Sequence, residues 1–224
     1  MNTDQFGLST GEYVPDPERD TALIVDGFFD SIAATARDHG IDGDPIASMR
    51  TALAESEAAD ADRIVDEPAR HNLRMTLALV VAYRHLTPLI GRDAAIEAVH
   101  RAFVEPLNES LQAATRSMLD NAADPFAAMV EVSKTRENQA FGTGFGFERA
   151  ADDADRYHLN VMRCFYYDVL AAHSATELAP VMCAFDGNWI EGIDPDRHGF
   201  RFDRSTTIGL GGTHCPFHFD RVPE

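Results

Sequence analysis

A chain of 224 residues, 45% of them hydrophobic, is long enough to bury a core without disulfide staples. Its formal charge of −18 argues against nucleic acid or an anionic membrane as a partner, since like charges repel and no basic stripe offsets them. Lys134 is the only lysine and Asp outnumbers Glu, the acidic composition expected of a halophilic protein, in which concentrated salt shortens self-repulsion to a few Å.

The first nineteen residues are polar and hold Pro15 and Pro17, which predicts an extended lead-in ahead of a single α+β domain over 20–224. They contain no apolar run, no positive start and no twin arginine, and no later stretch has about 18 uninterrupted apolar residues. A cytoplasmic protein is therefore expected. Three cysteines, an odd count, then read as reduced thiols and not as a disulfide framework.

The part over 20–141 reads as mainly helical. Asp20 is a candidate cap for a first helix in which Leu23, Ile24, Phe28, Ile32 and Ala36 recur at helical spacing, with Gly40 as its stop. Asp44-Pro45 repeats the start signal for a short helix through Ile46, Met49 and Leu53. Asp66-Glu67-Pro68 opens a long third helix, apolar nearly all round from Met75 to Val81, which predicts the central helix of a bundle. Behind Asp93, the spacing of Ile96, Val99, Phe103, Leu107, Leu111, Ala114 and Met118 predicts an amphipathic helix, with a kink or break near Val104 because of Pro106. Asp124-Pro125 signals one more, through Phe126, Met129 and Val130. The Gly142-Thr143-Gly144-Phe145-Gly146-Phe147 run has a dinucleotide-loop look but precedes no helix, so it reads as a turn into strand structure.

Over 142–224 the period changes. Alternating β-branched and aromatic residues predict strands at Tyr157–Cys164, Phe200–Ile208 and His214–Val222. A short helix is expected over Phe165–His173, and another from the cap Thr176 through Leu178, Val181, Met182 and Phe185 toward Trp189. The fold class is α+β, an N-terminal helical bundle followed by a small antiparallel sheet with helical insertions.

All three cysteines fall in this second part. Cys183 and Asp186 are three apart on a predicted helix and leave from one face. Cys164 ends one strand, and Cys215 begins another with Phe217 and Phe219 on its own face. If those strands are neighbours and the helix crosses them, three sulfurs and a carboxylate converge; the plainer alternative is three buried cysteines acting as small hydrophobes.

Asn160-Val161-Met162-Arg163-Cys164, Cys183-Ala184-Phe185-Asp186, Arg204-Ser205-Thr206-Thr207 and Gly211-Gly212-Thr213-His214-Cys215-Pro216-Phe217 occur in that order. Together they resemble the L-2-amino-thiazoline-4-carboxylate hydrolases, whose C-terminal half carries N-V-x-R-C, C-x-x-D, R-x-x-T and G-x-x-x-C-x-F elements. The resemblance covers roughly the last third of the chain and implies a hydrolase acting on a non-peptide C–N bond, opening a small cyclic amidine at its electrophilic C=N carbon. A thiolate suits that step because it gives a covalent adduct that water later resolves. Cys183 is then the expected nucleophile, Asp186 the acid/base and Cys215 a second thiol, with Cys164 and Thr207 beside the substrate. A carboxylate raises a neighbouring thiol's pKa, so a compensating cation is needed: Arg163, Arg204 or His218. Either arginine is also a candidate clamp for a substrate carboxylate. The sequence departs from the family pattern at Ser205-Thr206-Thr207 and at Pro216, which leaves the substrate open.

Two other readings stand beside this one. The cysteines with Asp186, His214 or His218 suggest a zinc-dependent hydrolase. Yet there is no C-x-x-C, and on a strand His214 and His218 are separated by about 13 Å, so no cofactor is the first expectation. A small-molecule-binding or sensory domain would use the same pocket without turnover. The expected partner in every case is a small molecule, with no nucleic acid and no membrane; the oligomeric state is not legible.

Overall fold

The structure, a computed structural model, describes residues 16–223. The expected lead-in before Asp16 lies outside the described residues. Four helices start on the same device, an aspartate followed within two residues by proline. α1 (Pro17–Asp38), α2 (Pro45–Ala59), α3 (Glu67–Ile90) and α5 (Pro125–Arg136) open behind Asp16, Asp44, Asp66 and Asp124. Each carboxylate accepts from the backbone N–H three residues on, at 2.8 to 3.1 Å. Each such cap is worth about 1 kcal/mol over alanine. The cap of α1 is thus Asp16; Asp20 instead sits in the first turn, paired with Arg19.

α3 is buried on nearly every side from Met75 to Tyr83 and packs against α1, α2 and α4 (Arg92–Asn121), as a central helix should. α4 differs from expectation twice. It begins behind Gly91, at φ +86°, with no side-chain cap from Asp93, and it runs unbroken past Pro106. Proline strips one rung from the helical ladder, but tertiary contacts hold the segment together. A Cβ on Gly27 of α1 would lie only 3.7 Å from the Pro106 ring, and Asn188 Nδ2 donates to the Val104 carbonyl at 2.9 Å.

After α5 the backbone widens into a π turn, Glu137–Phe141, and a tight turn at Gly142–Gly144. Asp66 reaches this turn as well as capping α3, accepting from Thr143 N–H at 2.6 Å and Oγ1 at 2.7 Å. Gly142 sits at φ +67° there, and a Cβ would fall 2.5 Å from the Asp66 carboxylate, so only glycine fits. The chain continues as β1 (Gly146–Asp152), β2 (Arg156–Arg163), α6 (Phe165–Ala172), α7 (Ala179–Ala184), α8 (Gly187–Ile190), α9 (Pro195–His198), β3 (Phe200–Asp203) and β4 (Cys215–Arg221). The four strands form an antiparallel sheet in the order β1-β2-β4-β3, and the arrangement is α+β with helices first.

β1 escaped the sequence reading because Glu148-Arg149-Ala150-Ala151-Asp152 lacks strand-forming residues; as an edge strand it has irregular register and only one neighbour. The single helix expected from Thr176 to Trp189 is three short pieces, Thr176–Leu178, α7 and α8. The strand expected to reach Ile208 stops at Asp203.

Between β2 and β4 the register pairs Tyr157 with Phe219, Leu159 with Phe217 and Val161 with Cys215. This row faces the helices. One buried cluster centres on α3 and a second on the sheet and the C-terminal half of α4. Ile24 and Phe185 pack against both clusters, and both line a cavity at that seam.

Candidate active site

The cavity holds about 240 Å³. That is just below the range of about 300–1,000 Å³ found for drug-sized ligands, so it fits a small molecule. Its walls are chiefly apolar: Ile24 from α1, Met75 from α3, Phe103 from α4, Phe147 and Leu159 from the sheet, and Trp189 from α8. Into this setting the fold brings Cys164, Cys183, Cys215, Asp186 and Arg204. Cys164 is the residue just before α6, Cys183 lies on α7, and Cys215 starts β4 opposite Val161. Asp186, between α7 and α8, keeps a right-handed helical backbone, so the three-residue offset from Cys183 still puts both on one side.

Burial is the largest influence on every thiol. It pushes Cys164 up to about 12 and pushes Cys183 and Cys215 up as well. The sulfurs also raise one another, Cys164 feeling both others and Cys215 feeling Cys183, because adjacent thiols cannot all carry charge. Opposing this is the turn Ile208–Leu210. Its Ile208 N–H donates to Cys215 Sγ at 3.1 Å, while the Thr207 hydroxyl and the Gly209 N–H support Cys183. The turn is held by Thr207, whose Oγ1 accepts from Leu210 N–H at 3.2 Å. The two consecutive N–H groups thus serve different sulfurs, Ile208 that of Cys215 and Gly209 that of Cys183. Gly209 lets the turn come this close, since a Cβ there would meet Cys183 Sγ at 2.9 Å and the Ala179 carbonyl at 3.0 Å.

The carboxylate is fixed from two directions. Arg204 Nη1 donates to Asp186 Oδ2 at 2.5 Å, and Trp189 Nε1 donates to Oδ1 at 3.2 Å. The Arg204 guanidinium also donates to the Cys183 carbonyl at 3.0 Å and stacks over Phe217 at 5.4 Å. A carboxylate has about four acceptor positions, so each oxygen of Asp186 keeps room for a ligand donor.

Two expected site residues lie elsewhere. Arg163 ends β2 beyond the core, its side chain 62% exposed and bound to Asp168 at 2.7 Å. His218 faces the other side of the sheet, stacked on His158 at 4.2 Å and donating to Asn160 Oδ1 at 2.9 Å. The two-residue period that sets Phe217 beside Cys215 necessarily turns His218 away. Thr207 is buried behind Cys183 and does not itself line the cavity. Among the described residues no group of three or more His, Cys, Asp or Glu side chains is placed to hold a metal ion. No helix among them is long and apolar enough to cross a membrane.

Several wall residues went unread in the sequence. Trp189, three residues after Asp186, marked only a helix end, and the alternating Phe145 and Phe147 of the glycine-rich run form an aromatic wall. That alternation was the available signal. Arg136 also lines the cavity; a basic residue in the last turn of a helix ordinarily complements the helix dipole, so nothing in the sequence set it apart.

Comparison with family models gives one match, described as L-2-amino-thiazoline-4-carboxylic acid hydrolase, over residues 71–219. The match is more than half of the chain and takes in every cavity residue from α3 to β4. Comparison with curated proteins and with solved structures finds no match.

Proposed function

The chain belongs to the L-2-amino-thiazoline-4-carboxylic acid hydrolase family, and from that premise we propose that it opens a cyclic amidine, or a related C–N function, in the cavity bounded by Cys183, Cys215 and Asp186. The observation that carries this reading is the convergence of three thiols, a carboxylate and its guanidinium partner on one apolar cavity.

Cys183 is the nucleophile in this reading. It is flanked by the Thr207 hydroxyl and the Gly209 N–H and lies within the field of Arg204, all of which oppose the effect of burial. In the resting protein the thiol keeps its proton, and deprotonation accompanies attack. The Cys183 sulfur bonds to the amidine carbon, the bond from that carbon to the departing ring atom breaks, and the thiol proton reaches that atom by way of Asp186. Water then displaces sulfur from the carbon and returns a proton to it, so one water is consumed per turnover. Cys215 and Cys164 bound the reacting carbon, and Arg204 keeps Asp186 aimed. A partly buried ion pair suits this role, since it resists reorientation during the reaction.

A second reading, a small-molecule-binding or sensory domain, draws on the raised pKa values of all three thiols, which make them poor nucleophiles at rest. One experiment separates the two. Purified protein is incubated with 2-amino-thiazoline-4-carboxylate and a panel of cyclic amidines, and substrate loss is followed chromatographically. Hydrolysis that drops by at least about 10²-fold in Cys183→Ser, with substrate protecting Cys183 from iodoacetamide, supports the enzyme. Binding without turnover across the panel supports the domain.

A further inference from the structure

Of the two guanidinium groups on the cavity wall, Arg204 is taken by Asp186, whereas Arg136 has a buried Nε with no hydrogen-bond partner. The neighbouring carboxylate offers no relief, because Glu137 is bound to Arg149 at 2.6 Å and to the Tyr157 hydroxyl. Asn72 is likewise spent: its Nδ2 donates to the Ala140 carbonyl at 3.0 Å and its Oδ1 accepts from the Tyr166 hydroxyl at 2.9 Å. Arg136 closes α5 at the start of the π turn, with its guanidinium over the Phe141 ring at 5.5 Å. Tyr166, whose hydroxyl donates to Asn72, lines the same cavity as Arg136 and the three cysteines.

An arginine does not lose its proton, and a desolvated N–H without an acceptor is unfavourable. The Nε itself is closed off within the wall, so an anionic acceptor supplied from the cavity meets Arg136 where the residue borders that space, and the planar fork of a guanidinium matches a carboxylate by paired hydrogen bonds. The surfaces alongside are aromatic, Phe141, Phe145 and Phe147, and take the flat face of a ring. We propose that Arg136 binds the carboxylate of the ligand, so that the cavity selects small acids with a flat apolar body. That the far end of such an acid presents its C–N carbon to Cys183 rests on the hydrolase reading; the anion site does not.

The test uses Trp189, the single tryptophan of the chain, which lines the cavity and reports its occupancy by fluorescence. Phenylacetate and its neutral counterpart phenylacetamide are titrated into the full-length protein. Saturable binding of the acid at least tenfold tighter than the amide is expected. Arg136→Gln should abolish that preference by weakening the acid alone, and Arg136→Lys should keep part of it. Equal binding of acid and amide, no saturable binding of the acid, or an unchanged preference in Arg136→Gln would each overturn the proposal. If Arg136→Gln fails to fold by circular dichroism, the acid–amide comparison in the unaltered protein and in Arg136→Lys decides. Neither titration involves turnover. A protein that binds the acid through Arg136 yet hydrolyses no amidine would retire the hydrolase reading alone, and one that hydrolyses amidines but binds acid and amide alike would retire this one.

Discussion

Arg204 and Asp186, eighteen residues apart in the chain, meet at 2.5 Å in the cavity wall with side chains only 15% and 24% exposed. The pair ties the loop after β3 to the junction of α7 and α8, and the same guanidinium holds the Cys183 carbonyl. Removing one partner leaves a half-buried charge alone. Arg204→Met should lower stability by about 1–3 kcal/mol, less than for a fully buried pair because water still reaches both groups. Urea unfolding of Arg204→Met, Asp186→Asn and the double variant reads the coupling; a coupling near zero would mean that the contact does not hold the site.

The thiols should make the protein sensitive to alkali. Each folded-state pKa is raised from its ordinary value of 9.0, Cys164 to about 12. Above pH about 9 the unfolded chain therefore gives up thiol protons that the folded chain retains. This contribution to stability is complete below pH about 9 and is lost as the pH rises toward about 12. Thermal melts of the protein and of Cys164→Ala across that window should differ in slope, the variant declining less; parallel slopes would contradict the buried-thiol picture. In the same range Cys164 should be the slowest of the three to react with iodoacetamide.

Gly209→Ala places a methyl group 2.9 Å from Cys183 Sγ and 3.0 Å from the Ala179 carbonyl. The turn cannot retreat without losing the hydrogen bond from Ile208 to Cys215. A destabilisation of about 1–3 kcal/mol is expected, together with slower alkylation of Cys183, because the Gly209 N–H that favours its ionised form moves away. Unaltered stability and labelling would show that the turn is not rigid.

Asn188 is buried to 1% exposure and sits beside the proline of α4. Asn188→Ala removes the donor to Val104 and should cost about 0.5–1.5 kcal/mol, the net worth of one hydrogen bond, since the unbroken helix still supplies that carbonyl with a backbone donor. Since Trp189 is the next residue, its fluorescence should shift as well. A melt unchanged within a few tenths of a kcal/mol would mean that α4 passes Pro106 without this brace.

With a net charge of −18, the melting temperature should rise as salt increases from about 0.1 M to about 1 M, over which the screening length falls from about 10 Å to about 3 Å. Exposed pairs such as Arg50 with Asp26 lose attraction over the same range, so the sign of the change reports whether repulsion dominates. A fall would place the acidic composition outside the determinants of stability.

Features set by three or four neighbouring residues were legible. Asp44, Asp66 and Asp124 cap as their Asp-Pro context indicates, and the apolar run of α3 lies at the centre. Cys183 with Asp186, and Cys215 with Phe217, share a face because helix and strand periods fix that locally. Where a distant group intervenes, the reading slipped. Asp93 does not cap α4, Pro106 does not break it where Asn188 bonds the Val104 carbonyl and α1 packs alongside, and β1 forms against β2 with Phe147 as its one aromatic or β-branched residue.

The sequence by itself determined which thiols, carboxylates and guanidinium groups the chain offers, in what order they occur and which face of its own element each takes, because backbone periods and caps act over a single turn or pleat. Only the tertiary structure decided which cation reaches which anion. Arg163 leaves the sheet edge for Asp168, His218 turns to the outer face, Arg204 closes on Asp186, and Arg136 is left lining the cavity with its Nε unpaired. That choice depends on charges many residues apart being brought within about 4 Å, a separation set by how helices and sheet stack and by nothing in the local sequence.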